Sequence, residues 1–552
     1  MSVELRGSPA APGAATGAPW IHRPAAAGSA TRRSVPEAAA MAARELEAMA
    51  AALRREGRAD EAEILAAQAM MAVDDELIRA AAAREAGGDD AVAATLAAGE
   101  AVAMSFEAID DELLAARAAD VRDVAARIAR HLIGAPAPRL DRQSIAVAVD
   151  LAPSVTVELD RGLLAGIALE GGSATSHAVI LARGLGIPAV VGVPDLLERA
   201  GRAEQLGIDG GSGMVVLDPD ADRRATLARA GESAAAARTA DLAFRGRPLA
   251  TADGHRLLCA ANIGKPEDAA VAFAAGAEAI GLFRTEFAFA GRAAAPTEAE
   301  QADLYEQVLV AAGDAPVTVR LADIGGDKPL PYLAIPAEAN PFLGLRGLRL
   351  HELHPSLYPT QLRAILRASA RAGRSAGIMA PMIADPDDVT LLRQLVEEAR
   401  AAVPDAPPPR VGMMVEIPSA VTLADELAAQ VDFMSIGTND LTQYLLAADR
   451  SNAALGGRQD PLHPAVLRSV RRVVEAARGA GCEVAACGEM AGDPAGAMLL
   501  VGLGVEELSM DPTAFGAVKR AVGERARADL LALADEATRA ASAAAVRALV
   551  AA

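Results

Sequence analysis

Cysteine is nearly missing from this chain of 552 residues: only Cys259, Cys482 and Cys487 occur, an odd and sparse set. That excludes a disulfide framework and favours a reducing compartment. Aromatic residues make up 3% and tryptophan occurs once, so helices must pack through small side chains, alanine above all. Positive charge is also short. The formal net charge of −20 argues against general nucleic-acid binding and against an anionic membrane surface, and it suits a basic protein partner. Anions can then be bound only through local arginine clusters. No apolar run reaches the length of a membrane span, and the start MSVELRGSPAAPG has no basic stretch followed by an apolar one. A cytoplasmic protein without membrane insertion is expected. Hydrophobic residues at 52% and charged residues at 23% describe a globular chain, long enough for two to four domains.

Several composition shifts divide the sequence. Residues 1–25 are rich in Gly, Pro and Ala and predict a short strand and turns, grouped with residues 140–220 as one α/β domain. Residues 30–138 between them predict a helical bundle or hairpin: Val121, Val124, Ile128 and Leu132 recur at steps of three and four, with Asp120, Arg122, Asp123 and Arg127 mostly off that face. In residues 140–220, β-type runs at Ile145–Val149, Ala189–Val193 and Met214–Leu217 surround the glycine turn and helix of GGSATSHAVILARGLG. Residues 221–249 predict a linker helix. From residue 250 to 552, strand and helix alternate. Candidate strands are Leu257–Ala261, Ala279–Phe283, Pro316–Leu321, a weak one near Leu343–Leu348, Gly377–Ala380, Val411–Val415, Phe433–Ile436 and Glu483–Ala486. Eight such units in this length suit a (β/α)8 barrel.

Polar residues follow those strands: Asn262, Arg284-Thr285-Glu286, Arg320 with Asp323, Glu416, the Thr438-Asn439-Asp440 run, and Cys487-Gly488-Glu489. Barrel enzymes build their sites on that face from several strands. Any one of these residues alone is as well explained by a surface ion pair or a helix cap; six placements on one rim are not. Arg284, Arg320, Arg346 and Arg450 can form planar, bidentate contacts with phosphate and carboxylate oxygens. Glu416 and Asp440 are a plausible pair of magnesium ligands, since magnesium takes few protein carboxylates and completes its shell from phosphate and water. His177, in Thr175-Ser176-His177 at the start of an apolar helix, is either an incidental neighbour of a capping Ser176 or a nucleophile whose phosphoryl adduct the helix terminus would stabilise. Cys487 alone would be an inert core residue, and its place on the rim opens an acid–base role. Cys259 and Cys482 have only structural contexts.

The strings GLFRTEF (281–287), VRLADIGGDKPLPY (319–332), NPFLGLRGLR (340–349), MMVEIPSA (413–420), FMSIGTNDLTQYLLAADRSN (433–452) and CGEMAGD (487–493) resemble the phosphoenolpyruvate-binding barrel of Enzyme I of the sugar phosphotransferase system. GGSATSHAVILARGLGIPAVVG resembles its phosphohistidine domain, and ARAADVRDVAARI the end of its helical carrier-binding subdomain. The resemblance covers nearly the whole chain in the family's order. It implies a multidomain α/β chain: a swivelling phosphohistidine α/β domain with an inserted helical subdomain, followed by a (β/α)8 TIM-type barrel that dimerises. It implies phosphoryl transfer from phosphoenolpyruvate to His177 and on to the phosphocarrier protein HPr or an HPr-like domain, releasing pyruvate. Arg284 and Arg320 would bind the phosphate, with Arg346, Asn439, Asp440 and Arg450 also on substrate. Glu416 and Asp440 would ligate Mg²⁺, and Cys487 would protonate the enolate carbon. One extra residue precedes Thr175, and VEIPSA replaces the commoner VETPAA; neither removes a catalytic residue. The relatives pyruvate phosphate dikinase and phosphoenolpyruvate synthase carry an ATP-grasp domain, for which the stretch ahead of the histidine segment is too short and too helical. A protein that only senses phosphoenolpyruvate would have no use for Cys487.

Overall fold

Apolar runs bounded by glycine or proline form the strands in both halves of the chain. The computed structural model describes every residue except 1, 23–30, 56–58, 108–111, 173–177, 180–181, 184–185, 291, 293, 327–329, 331, 337, 451, 453–454 and 456–457; for 59–61, 107, 112–116 and 153 it describes the backbone element only. The chain divides into two units, residues 1–237 and 238–552.

The first unit holds strands β1 (Val3–Arg6), β2 (Ser8–Ala11), β3 (Ala14–Ile21), β4 (Ser144–Ala148), β5 (Leu164–Leu169), β6 (Ala189–Val191), β7 (Leu206–Asp209) and β8 (Met214–Leu217). They form one eight-stranded sheet in the order β1-β8-β7-β3-β4-β5-β6-β2. Its centre, β3 to β6, is parallel, and the flanking pairs are antiparallel. All five residues of β4 are buried, as expected of a strand covered on both faces. Between β3 and β4 the chain makes five helices: α1 (Val35–Arg55), α2 (Ala59–Ala72), α3 (Asp75–Ala86), α4 (Ala91–Glu107) and α5 (Glu112–Ile133). The α5 stripe of Val121, Val124, Ile128 and Leu132 is at most 3% exposed. Its polar side departs from the expected solvated face, because Asp120, Asp123 and Arg127 are buried too. Gln68 donates to both acids, at 2.9 and 3.2 Å, and Arg127 donates to Ser154 Oγ at 2.8 Å and pairs with Glu45 and Glu158. The reason is that α5 is enclosed on several sides, so its charges had to be matched internally.

The helix Ala221–Arg245 carries the boundary between the units. In the second unit, β9 (Leu258–Ile263), β10 (Ala279–Arg284), β11 (Val317–Arg320), β12 (Gly377–Ala380), β13 (Arg410–Val415), β14 (Phe433–Ile436), β15 (Glu483–Ala486) and β16 (Glu507–Met510) close into a barrel, every neighbouring pair parallel. One expectation fails. Leu343–Leu348 is not a strand but lies across two 3₁₀ turns, Pro341–Leu343 and Gly347–His351, and Gly347 has φ +56, which extended backbone does not allow. The missing strand is β16. Glu507 and Ser509 alternate with Leu508 and Met510 there, so the stretch has no two apolar residues in succession. Among the described residues, no helix is long and apolar enough to cross a membrane.

Candidate active site

The C-terminal ends of β11, β13 and β14 bring Arg320, Glu416 and the Thr438–Leu446 helix to one rim. The loop after β11 adds Asp323 and then Arg346, which begins the 3₁₀ turn Gly347–His351. Gly325, at φ +100, lets these segments meet: a Cβ there would collide with the carbonyl of Leu345.

Arg346 is 1% exposed and is the centre of the cluster. Its Nε and Nη2 donate to the two oxygens of Asp323 at 2.9 and 2.8 Å, and Nη1 and Nη2 donate to the two oxygens of Asp440, both at 3.1 Å. Burial opposes its charge, but the hydrogen bonds and charge of Asp323, then those of Asp440, outweigh that and raise its pKa. Arg320 lies beside it, 2.9 Å from Glu286 and 3.7 Å from Asp323. Burial again works against its charge, and Glu286, Asp323 and Glu416 reverse the balance. Arg450 Nη1 lies 3.5 Å from Asp440 Oδ1.

Glu416 is buried, and its Oε1 accepts a hydrogen bond from the Met382 backbone at 2.7 Å. Burial raises its pKa, and the charges of Asp440 and Asp323 raise it further against Arg346 and Arg320. Gly437 permits this approach, since a Cβ there would sit 2.9 Å from Glu416 Oε2. Cys487 closes the interior below, in a small apolar cluster with Leu282, Met379, Met414 and Phe433. Burial pushes its thiol up to about 11, opposed by the Ser435 hydroxyl and the Arg320 charge. It is therefore protonated at neutral pH. Asn262 Nδ2 donates to the Cys487 carbonyl at 2.9 Å, which ties the end of β9 to that of β15.

Of the residues singled out in the sequence, Arg320, Arg346, Glu416, Asp440 and Arg450 are thus drawn into one network. Arg284 stays exposed outside it, with its guanidinium 5.9 Å from the Phe287 ring. Asn439 exchanges hydrogen bonds with Glu489 at 2.9 and 3.2 Å. His177, with Thr175 and Ser176, lies outside the described residues. Asp323 and Glu286 were read in the sequence as rim residues without a role, yet they anchor the two buried arginines. The signal was present, because each is a carboxylate just past a strand end, as Glu416 is.

The family description "PEP-utilising enzyme, PEP-binding domain" matches residues 239–527, more than half of the chain, with the mobile domain of the same enzymes at 140–213 and their N-terminal region at 6–117. The chain belongs to the PEP-utilising enzymes. Within that family, a phosphoenolpyruvate-protein phosphotransferase of Bacillus subtilis (strain 168) is 40% identical over 491 residues, 86% of this chain and 85% of that protein. A multiphosphoryl transfer protein of Rhodobacter capsulatus is 44% identical over 450 residues, 80% of this chain and 53% of that protein. Another, from Xanthomonas campestris pv. campestris, is 42% identical over 502 residues, 90% of this chain and 59% of that protein. The chain spans little more than half the length of these multiphosphoryl transfer proteins.

Proposed function

We propose that this PEP-utilising enzyme is a phosphoenolpyruvate–protein phosphotransferase that moves the phosphoryl group of phosphoenolpyruvate to its own His177 and then to HPr or an HPr-like domain. The observation that carries the reading is the buried Arg320–Arg346 pair, fixed by Asp323 and Asp440, above a protonated Cys487 on the C-terminal face of a closed parallel barrel. Arg320, held by Glu286 and Asp323, keeps a buried Nε–H without a partner, which suits an oxygen of a small anion, while Arg346 directs its donors to Asp323, Asp440 and Tyr444 and so fixes those groups around it. Arg284, Arg450 and Asn439 stand at the edge of the same rim to complete the contacts.

In the reaction, the bond between phosphorus and the enol oxygen breaks as a bond forms from phosphorus to the His177 ring nitrogen. The electron pair left on the enolate is quenched at the methylene carbon by the Cys487 proton, giving pyruvate, and the thiolate regains a proton from solvent. A thiol pushed up to about 11 keeps its proton until a strongly basic carbon is presented.

Magnesium fits the donor set. Glu416 and Asp440 offer hard oxygen ligands, a number that suits an ion completing its shell from substrate oxygens and water. The four acids Glu286, Asp323, Glu416 and Asp440 outnumber the three guanidiniums of Arg320, Arg346 and Arg450, and the raised pKa of Glu416 marks where positive charge is short, so this part of the rim suits a cation. When bound, the ion would offset charge on the phosphoryl oxygens. Residues 140–220 with 1–25 would then form the phosphohistidine domain, 30–138 the carrier-binding subdomain, 221–249 the linker helix and 250–552 the barrel, in a cytoplasmic homodimer. Pyruvate release is the test: with Mg²⁺ and an HPr-type carrier, turnover continues beyond one equivalent, whereas turnover that ignores the carrier sinks the reading.

A further inference from the structure

A (β/α)8 barrel ordinarily fills its interior with layers of bulky branched side chains. Toward the N-terminal ends of the strands, away from the rim, this chain departs from that rule. Gly281 of β10, Thr318 of β11, Gly377 of β12 and Ser435 of β14 leave a cavity of about 650 Å³. Glu507, the first residue of β16, lines it, and its carboxylate lies so close over Gly281 that a Cβ there would collide with it. No hydrogen bond and no ion pair within 4 Å joins this carboxylate to any described residue, although the Arg410 charge acts on it from across the cavity, opposed by that of Glu483. Ser435 is 1% exposed, and its Oγ makes no hydrogen bond of ordinary geometry, although it lies within reach of the Cys487 thiol.

Buried polar groups left unmatched are costly, and a carboxylate more so than a hydroxyl. Ser435 Oγ is such a group, and the partly buried carboxylate of Glu507 faces the same unfilled space. The other charged groups of the cavity are largely accounted for. Arg410 donates to Glu483 at 2.7 Å and lies 5.4 Å from the Phe433 ring, Glu506 pairs with His255 at 3.1 Å, and Arg478 stands at the exposed edge. Beside the Arg410 guanidinium, the space offers a carboxylate without a hydrogen-bond partner, a hydroxyl and the rest of an aromatic ring, and it is large enough for a small organic molecule.

We propose that the N-terminal end of the barrel is a second binding site, for a small organic ammonium compound whose cation sits between Glu507 and Ser435 and whose apolar part lies against Phe433. Benzylamine is a suitable probe, with benzyl alcohol as its neutral counterpart of the same shape. Calorimetric titration of the full chain near pH 8 should show saturable binding of benzylamine at one site per chain, with the alcohol weaker by about tenfold or more. Glu507→Gln, which keeps the shape and removes the charge, should weaken benzylamine by a similar factor without lowering the melting temperature. Equal binding of amine and alcohol, no saturation, or undiminished binding to the Glu507→Gln protein would each overturn the proposal. If that variant does not fold, the amine–alcohol comparison on the unaltered protein still decides.

Discussion

Arg346 touches both Asp323 and Asp440 with paired hydrogen bonds, and a lysine in its place could reach only one of them well. Arg346→Lys is therefore expected to lower the melting temperature and to cut kcat/KM about 10²-fold, because the substrate-facing groups lose their fixed positions. Steady-state kinetics corrected for folded fraction checks this, and full activity would show that the buried Arg346 serves the fold alone. Cys487→Ala should retain phosphoenolpyruvate binding and the folded fraction while slowing pyruvate formation about 10²–10⁴-fold, the usual contribution of a positioned general acid. A merely structural Cys487 would show the reverse. Glu507 gives a pH dependence of definite sign. Its pKa rises from 4.5 to about 7 in the folded protein, so it contributes stability that is fully present below 4.5 and is lost as pH rises through 7. Relative to the unaltered protein, Glu507→Gln should gain stability across that window, by roughly 3 kcal/mol at most, as the shift converts at about 1.4 kcal/mol per pH unit. Urea melts at pH 5 and pH 8 measure the difference, and a constant difference between the two would contradict it.

At the scale of elements, barrel strands with at least two apolar residues in succession were legible at once: Gly377–Ala380, Phe433–Ile436 and Glu483–Ala486 have the bounds expected. The run Leu343–Leu348 misled because apolar content says nothing of φ at Gly347, and β16 escaped notice because half its side chains face a polar interior. The rim arginines and Glu416 could be read from their positions after strands. Their true partners could not, since Asp323 and Asp440 meet on Arg346 across a separation of more than a hundred residues, which only the folded chain closes. In the helical block, periodicity located the buried stripe of α5 but not the buried charges on its other side. Exposed Met70 on α2 and Met104 on α4, 72% and 59% accessible, have no such explanation in packing. On the proposed reading they belong to the carrier-docking surface. Met70→Glu combined with Met104→Glu should then leave self-phosphorylation intact and slow onward transfer about tenfold or more, as loss of apolar contact at an interface does. Unimpaired transfer at limiting carrier concentration would remove these helices from the docking role.

For the whole molecule, the proposed chemistry spans both units: His177 belongs to residues 1–237 and the arginine–carboxylate rim to 238–552. Transfer requires the histidine to reach the rim and afterwards the carrier, and exposed linkers permit such movement. Small-angle scattering should change when phosphoenolpyruvate and Mg²⁺ are added, and an unchanged profile throughout turnover would count against a moving histidine domain. The central claim is most directly tested by incubating the protein with radiolabelled phosphoenolpyruvate and Mg²⁺ and mapping the label by proteolysis under alkaline conditions. The account predicts an acid-labile, base-stable phosphoryl group on His177, formed with an equivalent of pyruvate, abolished by chelation of the metal and absent from His177→Ala. Label on another residue, or pyruvate formed by the His177→Ala protein at the normal rate, would contradict it.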